Sequence, residues 1–379
     1  MCTGALTQPA WQQACLSTAA GGLGLRSAQR HSPAAYLASL AATEQLCLSL
    51  DPAYSSASLG GAAARDAYNL EVSPADRLPD VVPPQTRQRE LSQALDRAVL
   101  ARLAAPGPGL EAFRAHLQLL QQHGAGAWLH APPSEALGLH VAPALFKIMV
   151  QLRLRLPVAS ADEACPLCDG VADSFGDHAR CCACGGDRTK RHNRLRSVLA
   201  SRARAAGLGP EVEKADLLPP RLDEHGAAED GVRRGSGRRP ADVWVGNWGL
   251  HGPAAFDFAV TSGMRLECLR GAVVSGGRPA ADYEAKKRTH LQTAEQCEAA
   301  GLQFLPLVAE ACGGGWAATA VRVWKELGRL LSAKSGEAAA VETDKLLQSL
   351  AVTLQRENAR AVLRRLPLEG AAGSPLADP

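Results

Sequence analysis

The chain has 379 residues, 46% of them hydrophobic, and a formal net charge of +3. That length allows two or three domains with a buried core, and the near-neutral balance provides no global field to attract polyanions, so affinity for nucleic acid has to come from local basic clusters. The first residues lack a basic segment followed by an apolar run, and no apolar stretch reaches the roughly 18 residues a membrane helix needs. A soluble protein, neither secreted nor bound to a membrane, is expected. Eleven cysteines, five of them between Cys165 and Cys184, fit a metal site in the reducing cytosol or nucleus better than a disulfide framework.

Residues 1–50 read as Ala/Leu-rich helical pieces broken at Gly21-Gly-Leu-Gly-Leu25, which lacks the preceding strand of a phosphate loop and is read as a helix break. Residues 51–87 turn to Ser, Gly, Ala, Asp and Pro and predict a linker. Helical spacing returns at 88–104, 110–123 and 134–155, the last with Leu137, Leu145, Ile148, Met149, Leu152 and Leu154 on one face. Beyond the cysteines, residues 191–206 predict a helix stopped by Gly207. A short extended piece at 210–218 and a loop at 219–239 come next. Strands are predicted at 242–245, 255–261 and 303–308, with a helix at about 281–300 before the last of them. That final strand–helix–strand unit should be a right-handed crossover. Helices at 316–331 and 341–363 and a disordered tail at 367–379 complete the reading, and no internal repeat is present.

Cys165-x2-Cys168 places two soft ligands on a tight turn, and His178 and Cys182 can complete a tetrahedral zinc set. Cys181 and Cys184 compete with Cys182 for the fourth position, and a four-cysteine site is an alternative. Immediately afterwards, residues 187–204 carry seven Lys or Arg against one Asp. Arg188, Lys190, Arg191, His192, Asn193, Arg194 and Arg196 are the candidate nucleic-acid contacts, suited to phosphates rather than bases. Asp242 at the start of one strand and Asp257 in the middle of the next can hold one metal ion between them, as metal-dependent phosphodiester cleavage requires. Asp257 lies between Phe256 and Phe258, where an acid without a partner is costly. Lys286 and Lys287 on the following helix can reach the same point, but they lie about 100° apart on an ideal helix, so one of them faces the sheet. Glu211 and Glu213 offer a further carboxylate, and His290 should share the Lys287 face.

In chain order, Cys165-x2-Cys168, Gly176-Asp-His178, Cys182-Ala-Cys184-Gly-Gly, Arg191-His-Asn193, Arg239-Pro-Ala-Asp242 and Phe256-Asp-Phe-Ala-Val260 resemble the C-terminal end of non-LTR retrotransposon proteins that carry a restriction-like endonuclease. Tyr283-Glu-Ala-Lys-Lys-Arg-Thr-His-Leu291 and Gly301-Leu-Gln-Phe-Leu-Pro-Leu307 are similar to the lysine helix and last core strand of that domain. Trp11-Gln-Gln-Ala-Cys15, Gly21-Gly-Leu-Gly-Leu-Arg26 and Ala34-Ala-Tyr-Leu37 are similar to the stretch after the polymerase.

The resemblance implies an α/β fold with a PD-(D/E)xK restriction-like endonuclease core, a small zinc knuckle and an α-helical N-terminal region. The implied divisions are 1–50 post-polymerase-like, 51–87 linker, 88–158 helical, 159–187 knuckle, 188–312 nuclease, 313–366 C-terminal helices and 367–379 tail. It further implies Mg²⁺-dependent nicking of target DNA in the nucleus, with element RNA as a second partner and zinc as a structural ion. Carried over, Asp242 and Asp257 are the Mg²⁺ carboxylates. Ala259 stands where the plain motif has Lys, so Lys287, or Lys286, would act from the helix, with His290 in the place of the family's Tyr. No Tyr/Phe-x-Asp-Asp pair of a reverse transcriptase is present, so the chain is expected to be a fragment or truncated copy without a polymerase. The rival expectation is an inactive, zinc-stabilised nucleic-acid-binding remnant.

Overall fold

A computed structural model describes residues 6–54, 60–219, 238–249 and 252–366. The expected tail and most of the 219–239 loop lie outside these residues. The first part is helical: α1 (Gln8–Cys15), α2 (Ala28–Leu50), α3 (Gly61–Glu71), α4 (Gln88–Leu103), α5 (Glu111–Leu120) and α6 (Pro143–Arg153). Helix α3 falls inside the expected linker. Its Tyr68, 1% exposed, and the following Val72 pack with Ala34 and Leu37 of α2 and Leu91, Ala94 and Leu95 of α4. One aromatic ring is enough to anchor a short, Ala-rich helix of weak periodicity.

The break at Gly21 is where the chain turns back on α1. A side chain on Gly22 would meet the carbonyl oxygen of Leu16 at 2.1 Å. Buried Arg153 then clamps the loop. Its Nε, Nη1 and Nη2 donate to the carbonyls of Gly22, Ala125 and Thr18 at 2.9, 3.1 and 2.8 Å.

A two-stranded hairpin, β1 (Glu163–Ala164) with β2 (Val171–Ala172), leads into α7 (Asp177–Cys181) and α8 (Asp187–Ala205). The main sheet follows: β3 (Glu211–Val212), β4 (Val243–Val245), β5 (Ala254–Thr261) and β6 (Gln303–Glu310), in that spatial order. The first two pairings are antiparallel and β5–β6 is parallel. Parallel neighbours need a crossover, and α9 (Leu266–Val274), α10 (Arg278–Thr289) and α11 (Thr293–Ala299) make it. The one helix expected at 281–300 is thus two, separated at Leu291 and Gln292, whose φ values of 52° and 54° are left-handed. Helices α12 (Ala318–Ser335) and α13 (Ala339–Leu363) close the chain.

Alternation along β5 separates the two faces of the sheet. Phe256 and Phe258, with Val243, Val245 and Leu307, join Leu195 and Leu199 of α8, Trp324 of α12 and Leu350 of α13 in the largest core cluster. Ala259 and Val308 instead meet Ala280 and Tyr283 of α10. Asp257 therefore points toward α10. The architecture is mixed α/β, mostly helical, with a small mixed sheet. Among the described residues no helix is long and apolar enough to cross a membrane.

Candidate metal centre and cleft

Hairpin β1–β2 holds the Cys165–Cys168 turn, closed by the Cys165 amide donating to Gly170 O at 2.8 Å. Gly170 keeps this turn close to the ligands: a Cβ there would stand 3.0 Å from the His178 ring and 3.4 Å from Cys168 Sγ, so the His178 ring would have to give way slightly. Asp173 starts the next element, its carboxylate accepting from the backbone amides of Phe175, Asp177 and His178 at 3.0, 3.0 and 2.6 Å. These bonds cap α7 and point His178 and Cys182 at the turn. The ligand atoms of Cys165, Cys168, His178 and Cys182 all lie within 4.8 Å of one another. Cys168 Sγ is 3.4 Å from His178 Nε2 and 3.6 Å from Cys182 Sγ. A tetrahedron with bonds of about 2.0–2.3 Å has edges of about 3.5–3.8 Å, so the cluster could hold a metal ion such as zinc. Cys181 Sγ faces the carbonyls of Asp177 and His178 instead, and Cys184 is exposed. Burial opposes ionisation of Cys165, but the amides of Leu167 and Cys168 and the side chains of His178 and Cys168 bring its thiol down to about 6. The amide of Gly170 favours the Cys168 thiolate, yet burial and the neighbouring sulfurs push it up to about 11. Crowded thiols that cannot all ionise together are what a cation would relieve.

The basic segment divides according to which way each side chain faces. Arg188 and Arg194 are exposed, and Lys190 and Asn193 are half-buried. Arg196 pairs with Glu213. Arg191 is buried, donating from Nη1 to Arg180 O at 2.9 Å and to Asn358 Oδ1 of α13 at 2.6 Å. His192 is half-buried and is held by an acid. Its Nε2 lies 3.0 Å from Asp242 Oδ2, which also accepts from Phe258 N at 2.6 Å. That hydrogen bond pulls the His192 imidazole above its ordinary value. The sequence carries no signal for this pairing, because 50 residues separate its partners.

Strand register sets the acids against each other. Val243 pairs with Phe256, and the Asp242 amide also donates to Phe256 O at 2.8 Å, which leaves the Asp242 carboxylate close enough to act on Asp257. Lys287 Nζ lies 2.7 Å from Asp257 Oδ2, and the exposed Lys286 points away. Burial, opposed by Lys287 and reinforced by Asp242, raises the Asp257 carboxyl above its ordinary value. His290 is not on the Lys287 face, because α10 ends at Thr289 and His290 leaves it exposed at ψ 118°. Glu213 also stays outside, half exposed and tied to Arg196. An open cleft of about 380 Å³ remains, lined by Arg188, Thr189, Arg191, His192, Asp257 and Lys287, together with Tyr283 and Ala183. No protein-family model matches the chain, and no curated protein is similar to it in sequence.

Proposed function

We propose that this chain is the DNA-nicking portion of a non-LTR-retrotransposon-type protein: a PD-(D/E)xK restriction-like nuclease, zinc-stabilised, acting with Mg²⁺ on nuclear target DNA. The observation that supports it is two neighbouring carboxylates, Asp242 just ahead of β4 and Asp257 on β5, with Lys287 2.7 Å from Asp257, where Asp257 and Lys287 line a cleft walled by the basic first turns of α8. Neighbouring strands hold both acids before any ion arrives, which lowers the cost of assembling a site. Mg²⁺, when bound, supplies charge stabilisation at a phosphate and a more acidic water. Lys287 orients a nucleophile beside Asp257, Arg188 neutralises approaching phosphate, and Lys286 takes no part.

The test is relaxation of supercoiled plasmid by the zinc-loaded chain with added Mg²⁺. Asp257→Ala and Lys287→Ala should each lower nicking by about 100-fold or more, with duplex binding retained, while Lys286→Ala nicks like the parent. A dead Lys286→Ala variant would refute the assignment of the inward lysine.

A second reading, the non-catalytic nucleic-acid-binding remnant, is favoured by one contact: Asp242 Oδ2 is already engaged by His192 and by the Phe258 amide. Absence of Mg²⁺-dependent nicking by the parent chain, with DNA binding intact, would select it.

A further inference from the structure

Four arginines are buried among the described residues: Arg153, Arg180, Arg191 and Arg365. Arg153 has all three of its nitrogens on carbonyl oxygens. Arg180 is paired with Asp177, and Arg365 with Asp187 at 2.7 Å, although each, like Arg191, also buries an Nε without a hydrogen-bond partner. Arg191 has no such counter-ion. Both of its hydrogen bonds leave from Nη1, and its Nε is buried with no partner. The acids around the cleft and the knuckle helix are taken by other groups: Asp177 by Arg155 and Arg180, Asp187 by Arg364 and Arg365, Asp257 by Lys287 and Asp242 by His192. Burial, with Arg188 and Arg180 close by, pulls the Arg191 guanidinium down to about 10. Arg191 therefore keeps hydrogen-bonding capacity and charge that no acid of the chain neutralises.

Arg191 also lines the open cleft, beside Arg188 and Thr189 and across from Lys287. Asn358 and the carbonyl of Arg180 hold it from behind, so its guanidinium fork is fixed before a ligand arrives. The end of this guanidinium that no residue of the chain engages can donate to an oxyanion, and Arg188 and Thr189 beside it favour one that is phosphate-like and multiply bonded. We propose that Arg191 is the fixed ligand for a backbone phosphate of nucleic acid bound in this cleft. The inference rests on the nucleic-acid part of the reading above and does not depend on catalysis. It reverses the order expected from exposure: the buried arginine, rather than Arg188 or Arg194, contributes most to phosphate binding.

The experiment is fluorescence anisotropy of a short labelled duplex with the zinc-loaded full chain in Mg²⁺-free buffer. Arg191→Met should bind roughly tenfold or more weakly than the parent, Arg191→Lys should recover only part of the loss, and Arg188→Ala should lose less than Arg191→Met. Unchanged binding by an Arg191→Met variant that folds and carries zinc overturns the proposal. Should that variant not fold, the parent chain gives a second reading. Inorganic phosphate should displace the duplex more effectively than chloride at equal ionic strength, and equal displacement overturns the proposal. If plasmid nicking fails in the parent while the Arg191 dependence of binding holds, the nuclease reading falls and this one stands. If nicking succeeds and Arg191→Met binds and nicks like the parent, the reverse is true.

Discussion

His116 shows how strongly the interior acts on one residue. It sits on α5 fully buried, Nε2 bonded to the carbonyl of Arg153 at 2.9 Å and Nδ1 without a partner. Burial, with Arg155 nearby, lowers its pKa from 6.5 to about 3. The folded chain therefore keeps this imidazole neutral where the unfolded chain protonates it. Stability from this group is complete above the unfolded value of 6.5 and falls as pH drops toward 3, by up to about 1.4 kcal/mol per pH unit. Urea unfolding of the parent and of His116→Gln between pH 7 and 5 should show the variant less stable at pH 7 but with a shallower pH slope. Parallel slopes would show that His116 is not the titrating group. Asp257 is a second case, an acid raised by the same burial that brings it against Lys287. Composition and spacing do not distinguish His116 from an exposed histidine, whereas the flanking Phe256 and Phe258 already mark Asp257.

At the scale of elements, α5 shows that backbone can pack as tightly as side chains. A Cβ on Gly276 would stand 2.1 Å from the carbonyl oxygen of Gln118, and one on Gly313 2.2 Å from that of Leu119. Both glycines lie against the last turn of α5, and Gly313 N also donates to buried Glu310 at 2.6 Å. Gly313→Ala should then cost about 1–3 kcal/mol, read as a lower denaturant midpoint at unchanged slope; a midpoint within error of the parent would mean that the turn moves aside freely. Elements whose pattern was strong, such as the basic helix and the closing pair α12 and α13, lie close to their expected positions. Helices α3 and α9 did not stand out, since one falls in a Ser/Gly/Pro-rich stretch and the other is nine residues in a Gly-flanked gap.

For the whole molecule, α13 is the common support. It packs on α6, α7, α8 and α12, and its Asn358 holds Arg191 while Arg365, just past its end, holds Asp187. The small metal element is thereby tied to the helical core, the carbonyl of buried Arg180 of α7 accepting from Arg191 of α8. Metal loss should be felt well beyond the knuckle. Purified chain is expected to carry one zinc per chain, and a Cys165→Ser/Cys168→Ser variant none. Chelation should lower the midpoint of thermal unfolding by at least about 5 °C. A content under about 0.2 zinc per chain, or an unmoved midpoint after complete chelation, would remove zinc from the account.

The sequence alone determined what depends on short separations: the Cys165–Cys168 turn with His178 and Cys182 in reach, the basic run, the helical spacing and the strand–helix–strand order. Ligand type and local periodicity are properties of neighbouring residues, so they can be read without a fold. The tertiary structure decided what depends on distant pairs. It selected Cys182 over Cys181 and Cys184 because α7 turns only one of these sulfurs toward the hairpin. It selected Lys287 over Lys286 because the packing of α10 on β5 and β6 leaves one lysine facing the sheet. It moved His192 onto Asp242, Glu213 onto Arg196 and His290 out of the helix. The same packing buried Arg191 with no acid beside it, because whether a charged side chain is covered is set by what packs on it from elsewhere in the chain, here α13 from 167 residues away.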